Sequence, residues 1–173
     1  VIAQDSEWDF SAPCYSPDGS KVAFIASHQG LKHTMPGHVA VWQRASSRWQ
    51  VVSEDWDHEV QAPLRWHEDG LSVYLCAEQQ GRRHLWQFLV QERQAQRVVE
   101  GGTVHAFDLA AGALVTLSDS AQHPARVHVH PQDAPPRRLE SFNDALLASL
   151  RLGRTEEVWI KGALGEPIQV WLT

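Results

Sequence analysis

A short apolar strand, a tight Asp-Gly turn and a second alternating strand occur together twice in this chain, which constrains the fold strongly. Residues 12–26 read APCYSPDGSKVAFIA, and residues 62–77 read APLRWHEDGLSVYLCA. A weaker copy, VHAFDLAAGALVTLS, covers residues 104–118 and has Ala111-Gly112 at its turn. A repeat of about 40 to 50 residues with four short strands per unit is typical of β-propeller blades.

The order of strands and turns predicts an all-β fold: a partial β-propeller with about three to four blades of four-stranded antiparallel sheet. A chain of 173 residues is too short for a complete ring of about six to eight such blades. We therefore interpret residues 1–173 as the C-terminal part of a propeller domain. The expected blades are residues 9–53, 59–99 and 103–139, followed by a last strand segment or linker at residues 143–173.

The two clear turns carry the residue types that tight turns need. We expect Asp18 and Asp69 to accept hydrogen bonds from the backbone that follows them, and Gly19 and Gly70 to adopt a positive φ. If Gly81 lies in a looser turn, Gly70→Val should lower the melting temperature more than Gly81→Val.

Three of the eight tryptophans fall at repeating strand positions. We predict that Trp42, Trp66 and Trp86 pack between blades, because a large ring fills the space between stacked sheets. The matching letters VAVWQ and HLWQ place Trp42 and Trp86 at equivalent positions. A carbohydrate-binding platform made from the other tryptophans is the weaker alternative.

Composition excludes several classes of function. The net charge is −6 and the 15 Lys and Arg residues are scattered, so we expect no nucleic-acid partner. The doublets Arg82-Arg83 and Arg137-Arg138 are read as solvated turn residues.

No apolar run is long enough for a membrane span, and no export signal is visible, so we expect no membrane partner and a cytoplasmic location. Cys14 and Cys76 are expected to be free thiols rather than a disulfide.

No residue of this chain is assigned a catalytic, cofactor-binding or metal-binding role. A Gly-x-Ser-x-Gly elbow, a phosphate-binding glycine loop and a His-Glu-x-x-His motif are all missing from the sequence. His128 and His130 share one face of a predicted strand, and His33 and His38 flank a loop. Neither pair has an obvious third ligand nearby, so both are expected to be ordinary histidines.

Four segments in order carry a resemblance to a known family. They are SPDGSKVAFIAS at residues 16–27, the run that begins WDHEVQAPLRW at Trp56, LVTLSDSAQHPARVHV at residues 114–129, and residues 136–172. Together they resemble the propeller of the prolyl oligopeptidase family of serine peptidases, and within it the acylaminoacyl-peptidase branch. The chain departs from the family pattern in two places: WHEDG replaces Trp-Ser-Pro-Asp-Gly at Trp66, and Val170-Trp171 replaces Gly-Trp.

The resemblance implies that residues 136–172 lead out of the propeller towards an α/β-hydrolase domain, which is absent from this chain and carries the family's catalytic residues. The propeller would then restrict access of short or N-acylated peptides to the active site of the parent enzyme, a serine exopeptidase. A free-standing propeller that binds a protein partner is the alternative. An open arc would also expose packing faces near residues 10–26 and 158–172, so we expect a homodimer.

Overall fold

The computed structural model describes residues 1–110 and 112–173, in which three blades of antiparallel strands follow one another along the chain. The second and third blades are joined into one eight-stranded sheet by a single parallel bridge. Blade 1 contains β1 (Trp8–Tyr15), β2 (Lys21–His28), β3 (His38–Gln43) and β4 (Arg48–Val51). Blade 2 contains β5 (Gln61–Trp66), β6 (Ser72–Gln79), β7 (Arg82–Leu89) and β8 (Gln94–Val99). The fold is therefore the predicted all-β partial propeller, and within each of these blades every strand pairs with the next one.

Blade 3 contains β9 (Thr103–Ala110), β10 (Ala113–Ser120), β11 (His123–His130) and β12 (Arg137–Arg138). The turn predicted at Ala111-Gly112 lies partly outside the described residues, since Ala111 is not described. The fourth strand has only two residues, so blade 3 departs from the expected full four-stranded sheet. After β12 the chain forms helix α1 (Asp144–Ala148) and the hairpin of β13 (Glu156–Lys161) and β14 (Pro167–Leu172).

The segment after β12 follows the outer edge of β11. Asp144 at the start of α1 pairs with Arg138, and Arg126 of β11 lies 4.0 Å from the same carboxylate. Further on, Gln122 Nε2 donates to the Gly153 carbonyl oxygen over 2.8 Å. The α1 segment therefore covers an edge that a longer fourth strand would have paired, which limits association through that edge.

The first strands of neighbouring blades lie side by side. Strand β1 contacts β5, and Arg65 of β5 forms a 3.2 Å ion pair with Asp108 of β9. In both β1 and β5 the pairing with the second strand is irregular at an Ala-Pro step, Ala12-Pro13 and Ala62-Pro63. Proline has no N–H for the ladder, so the sheet can only accept it at such an irregularity.

The core consists of three layers, one on each side of blade 1 and one between blades 2 and 3. The largest layer lies between blades 1 and 2 and includes Ile25, Val41, Leu75 and Phe88. A smaller layer between blades 2 and 3 contains Tyr74, Cys76, Leu85, Val104, Phe107 and Leu114. Strands buried on both faces are expected when each blade packs between two others.

The outer face of blade 1 is covered, contrary to the exposure expected for residues 10–26. Val22, Phe24 and Ala26 are at most 3% exposed, because rings from β1 and β4 fold over them. At the other end of the chain the expectation holds in part: Trp159, Ile160, Ile168, Trp171 and Leu172 are exposed on the hairpin.

Candidate functional site

The two Asp-Gly turns have nearly the same geometry. Gly19 and Gly70 both have a φ of +67°, as expected for these positions. Asp18 accepts hydrogen bonds from the Ser16 hydroxyl over 2.7 Å and from the Ser20 N–H over 3.0 Å, and the bond from Ser16 contributes most to holding the pKa of Asp18 far below its ordinary value. Asp18 therefore braces the first turn.

In the second turn, Asp69 accepts from the Leu71 N–H over 2.8 Å and lies 2.9 Å from His67 Nδ1. Burial would raise the pKa of Asp69, but the bonds from Leu71 and His67 lower it below its ordinary value.

Gly81 does not lie in a looser turn than Gly70. Its φ is +69°, and Gln80 before it also has a positive φ, of 54°. Two consecutive residues with positive φ form the tightest kind of hairpin turn, in which glycine is strongly preferred. A Cβ atom at Gly81 would also lie 3.2 Å from the Trp171 indole nitrogen.

The three singled-out tryptophans lie in different layers. Trp66 and Trp86 are buried between blades 1 and 2, whereas Trp42 is half-buried and packs on the outer face of blade 1. The indole N–H of Trp66 donates to the Cys14 carbonyl oxygen over 2.9 Å, which links the first strands of the two blades. The Trp86 N–H donates to the Ala77 carbonyl oxygen over 3.2 Å.

Trp42 and Trp86 are not equivalent, which corrects the expectation from the matching letters. His38 pairs with Ala26 in blade 1, and His84 pairs with Ala77 in blade 2. Each of these two alanines lies seven positions after the turn glycine of its blade. With the histidines aligned in this way, Phe88 corresponds to Trp42. The letter match is therefore shifted by two residues, a shift that leaves the side chain on the same strand face.

Arg82 and Arg83 are contact residues rather than solvated turn residues. The Arg83 guanidinium donates to the Gln61 side chain and to the carbonyl oxygens of Val104 and His105, so it ties β7 to the first strands of blades 2 and 3. A parallel bridge between Arg83 and Thr103 reinforces this connection. Sequence reasoning missed both arginines, because a charged doublet in a turn is usually solvated.

Arg82 instead connects blade 2 to the final hairpin. Its guanidinium carbon lies 4.5 Å from the centre of the Trp171 ring, and its Nη2 atom lies 3.3 Å from the Glu157 carboxylate. Nearby, Gln169 Nε2 donates to the Gln80 carbonyl oxygen over 2.9 Å. No residue of α1 or of the two hairpin strands is fully buried, so these few contacts hold the hairpin on the blade.

Within the described residues, the histidines do not form a metal centre. The His128 and His130 rings are 6.3 Å apart, and no group of three possible ligands is found. Burial lowers the pKa of both imidazoles. His130 Nε2 lies 2.8 Å from the Thr116 hydroxyl. A catalytic set of threonine, histidine and acid would also need a carboxylate bonded to this imidazole, and none of the described residues supplies one.

The two cysteines are free thiols, with Cys76 buried and Cys14 partly exposed. Burial raises the pKa of the Cys76 thiol, which makes it a poor nucleophile at neutral pH.

A cleft of about 760 Å³ opens between blades 2 and 3, beside the turn that joins β5 to β6. Its walls come from Tyr74 and Val98 of blade 2, from Leu114 of blade 3 and from the loop that follows His130. The layer between blades 2 and 3 is smaller than the layer between blades 1 and 2, so these two blades leave a gap at this end. A gap of this size is in the range of sites that hold small molecules.

Comparison with solved structures finds chains of similar fold. Acylaminoacyl peptidase from Pyrococcus horikoshii superposes with a TM-score of 0.70 at 16% identity, over 89% of this chain and 23% of that chain. The β-propeller domain of the trilobed protease from Pyrococcus furiosus gives a TM-score of 0.65 at 15% identity, over 86% of this chain and 42% of that chain. At these identities the likeness shows the fold.

Among curated proteins, dipeptidyl-peptidase 5 from Porphyromonas gingivalis is 21% identical over 162 residues, which are 92% of this chain and 24% of that protein. The chain therefore spans about a quarter of the length of this relative. No family model matches the sequence. The resemblance to acylaminoacyl-peptidase propellers, stated from the sequence, is confirmed at the level of the fold.

The one described α-helix, α1, has five residues, and no helix in residues 1–110 and 112–173 is long and apolar enough to cross a membrane.

Proposed function

We propose that this chain is the propeller portion of a serine exopeptidase that resembles acylaminoacyl peptidase. The parent enzyme hydrolyses short or N-acylated peptides through an acyl-enzyme, and the propeller restricts which peptides reach the active site. The chain itself supplies no catalytic residue. The partners in this proposal are the hydrolase domain of the same polypeptide and the peptide substrate, in the cytoplasm, with no nucleic acid and no membrane.

The observation that carries this proposal is the order of elements at the end of the chain. Three propeller blades are followed by a short helix and then by the hairpin of β13 and β14, in the region whose sequence resembles the family's exit from the propeller. The hairpin is held on blade 2 through Arg82 and exposes Trp159, Ile160 and Ile168. An exposed apolar hairpin of two strands is marginally stable alone, so this arrangement supports a further domain packed against it.

A hydrolysis assay tests the proposal. The product of the natural gene and a polypeptide of residues 1–173 are each given acetyl-alanine nitroanilide, the same nitroanilide without the acetyl group, and an unfolded protein. We expect the gene product to cleave the small substrates and spare the protein, and residues 1–173 to cleave none. A gene product without peptidase activity that instead retains a protein partner would favour the free-standing interaction propeller.

We also propose that residues 1–173 associate as a homodimer when produced alone. Exposed apolar residues on the hairpin, such as Trp171 and Leu172, favour burial against a second copy. Light scattering coupled to size exclusion measures the mass. A mass of twice 19.5 kDa is expected, and a monodisperse monomer would contradict the dimer.

A further inference from the structure

The cleft between blades 2 and 3 combines apolar walls with a small group of polar side chains at one end. Val98, Leu109 and Leu114 provide apolar surface, and Trp66 closes the side nearest to blade 1. Binding sites for small molecules have this composition, in which apolar walls supply most of the contact area and a few polar groups fix the orientation.

Tyr74 provides one polar group in the wall of the cleft. The residue is only 9% exposed, and in the part of the chain that the structure describes its hydroxyl has no hydrogen-bond partner. Burial, with the Asp69 carboxylate as a second cause, raises the pKa of Tyr74. The hydroxyl is therefore protonated at neutral pH and can donate or accept a hydrogen bond in the cleft.

The charge of the lining is negative. Among the described lining residues, Glu68 is the only Asp, Glu, Lys or Arg, and it forms no ion pair with a described residue. Beside it, His67 stacks on Tyr74 with ring centres 6.1 Å apart and is held at 2.9 Å by Asp69. The Lys21 ammonium donates to the Gly70 carbonyl oxygen over 2.9 Å and is not among the described lining residues. With one exposed carboxylate and no Lys or Arg among the described lining residues, the cleft attracts a cation rather than an anion.

We propose that this cleft binds a small organic ammonium ion with an apolar body. The ammonium group pairs with the Glu68 carboxylate, and the apolar body packs on Val98, Leu109 and Leu114. The Tyr74 hydroxyl is a further polar group of the same cleft. Such a group occurs both in arylalkylamines and at the free N-terminus of a short apolar peptide. The inference is independent of the proposed peptidase function, because it concerns the space between two blades and no catalytic group.

Calorimetric titration of the natural gene product tests the proposal. The probes are 2-phenylethylamine and the C-terminally amidated dipeptide Phe-Gly, each compared with its N-acetylated form, which has the same apolar body and no charge. We expect the free amines to bind and the acetylated forms to bind at least about fivefold more weakly, as the loss of one partly exposed ion pair predicts. Binding of 2-phenylethylamine alone identifies a small amine as the ligand, and binding of both identifies the peptide N-terminus as a second source.

Four variants locate the binding. Glu68→Gln removes the charge and Tyr74→Phe removes only the hydroxyl, and each should weaken binding about threefold to tenfold. Ala134→Trp, in an exposed loop that lines the cleft, should fill the space without disturbing a strand. Glu54→Gln removes an exposed acid away from the cleft and should leave affinity unchanged.

Circular dichroism confirms that each variant is folded. The proposal is overturned if no amine binds at millimolar concentration, if the acetylated forms bind equally well, or if folded Glu68→Gln and Ala134→Trp proteins keep the affinity of the unchanged protein.

Discussion

The guanidinium carbon of Arg82 lies 4.5 Å from the centre of the Trp171 ring, on the face where blade 2 meets the last hairpin. The Arg82 side chain also pairs with Glu157 of β13. Glu157 and Trp171 lie opposite each other in the β13–β14 register. One arginine of a blade thus contacts both strands of the hairpin.

Removal of this arginine should loosen the hairpin without unfolding the blades. A cation–π contact at a partly exposed site contributes about 1 kcal/mol, so Arg82→Met should speed hydrogen exchange in residues 156–172 about fivefold. Exchange followed by mass spectrometry measures this. Arg48→Met, at an exposed position of β4, is the matched control. Faster exchange throughout blade 2 would show that Arg82 supports the blade itself.

The turn glycines should all resist replacement by alanine. A side chain at positive φ costs about 1 kcal/mol, so Gly19→Ala and Gly70→Ala should lower the free energy of unfolding by that amount. Gly81→Ala should cost at least as much, because its Cβ atom would also press on Trp171. Denaturant titration gives the values. Gly153→Ala, at a position without positive φ, is the control, and an equal loss there would count against the strain argument.

The indole N–H of Trp66 should contribute measurably to the packing of blade 1 on blade 2. Trp66→Phe keeps an aromatic ring but leaves the Cys14 carbonyl oxygen without its donor, so we expect a loss of about 1 to 3 kcal/mol in the free energy of unfolding. Trp42→Phe, at a half-buried position on the outer face, should cost less. Thermal unfolding compares the two, and the reverse order would contradict the packing described.

Acidification should destabilise the fold through the buried imidazole of His84. Burial is the main cause that lowers the pKa of His84 below 6.5, with Arg97 and Arg82 adding to it and Glu100 opposing it. The unfolded chain therefore binds this proton more readily, so the stability that His84 contributes is complete above its unfolded pKa and is lost as the pH falls through about 6.5 and below.

His84→Phe should flatten this dependence by at most about 1.4 kcal/mol per pH unit, the value for one proton. Unfolding curves measured from about pH 8 down to about pH 5, on both sides of the ordinary histidine pKa, provide the measurement. His33→Phe, on the exposed loop, is the control. An unchanged slope in the His84 variant would show that this imidazole is not protonated on unfolding.

Turn chemistry and strand alternation were sufficient to predict the blades, because both are local properties. The Asp18-Gly19 and Asp69-Gly70 turns set where the second strand of each blade begins, and the expected strand from His38 to Gln43 has the bounds that the structure shows. The same turn chemistry predicted the hairpin at the end of the chain, and Gly165 in its turn has a φ of +86°.

Contacts between distant segments could not be predicted in this way. The roles of Arg82 and Arg83 depend on hairpin and blade-3 residues that lie far away in sequence. The correspondence of Phe88 with Trp42 depends on strand register, and a shift of two residues preserves the alternation that sequence patterns report. The cleft arises because blade 3 packs a smaller layer on blade 2, which no local pattern encodes.

Labelling of the natural gene product with a fluorophosphonate probe, followed by peptide mapping, tests the central claim most directly. An activated serine reacts with this probe, whereas an ordinary serine does not. The account predicts one labelled serine outside residues 1–173 and none within them. A labelled serine within residues 1–173, or a gene product with no labelled serine at all, would contradict it.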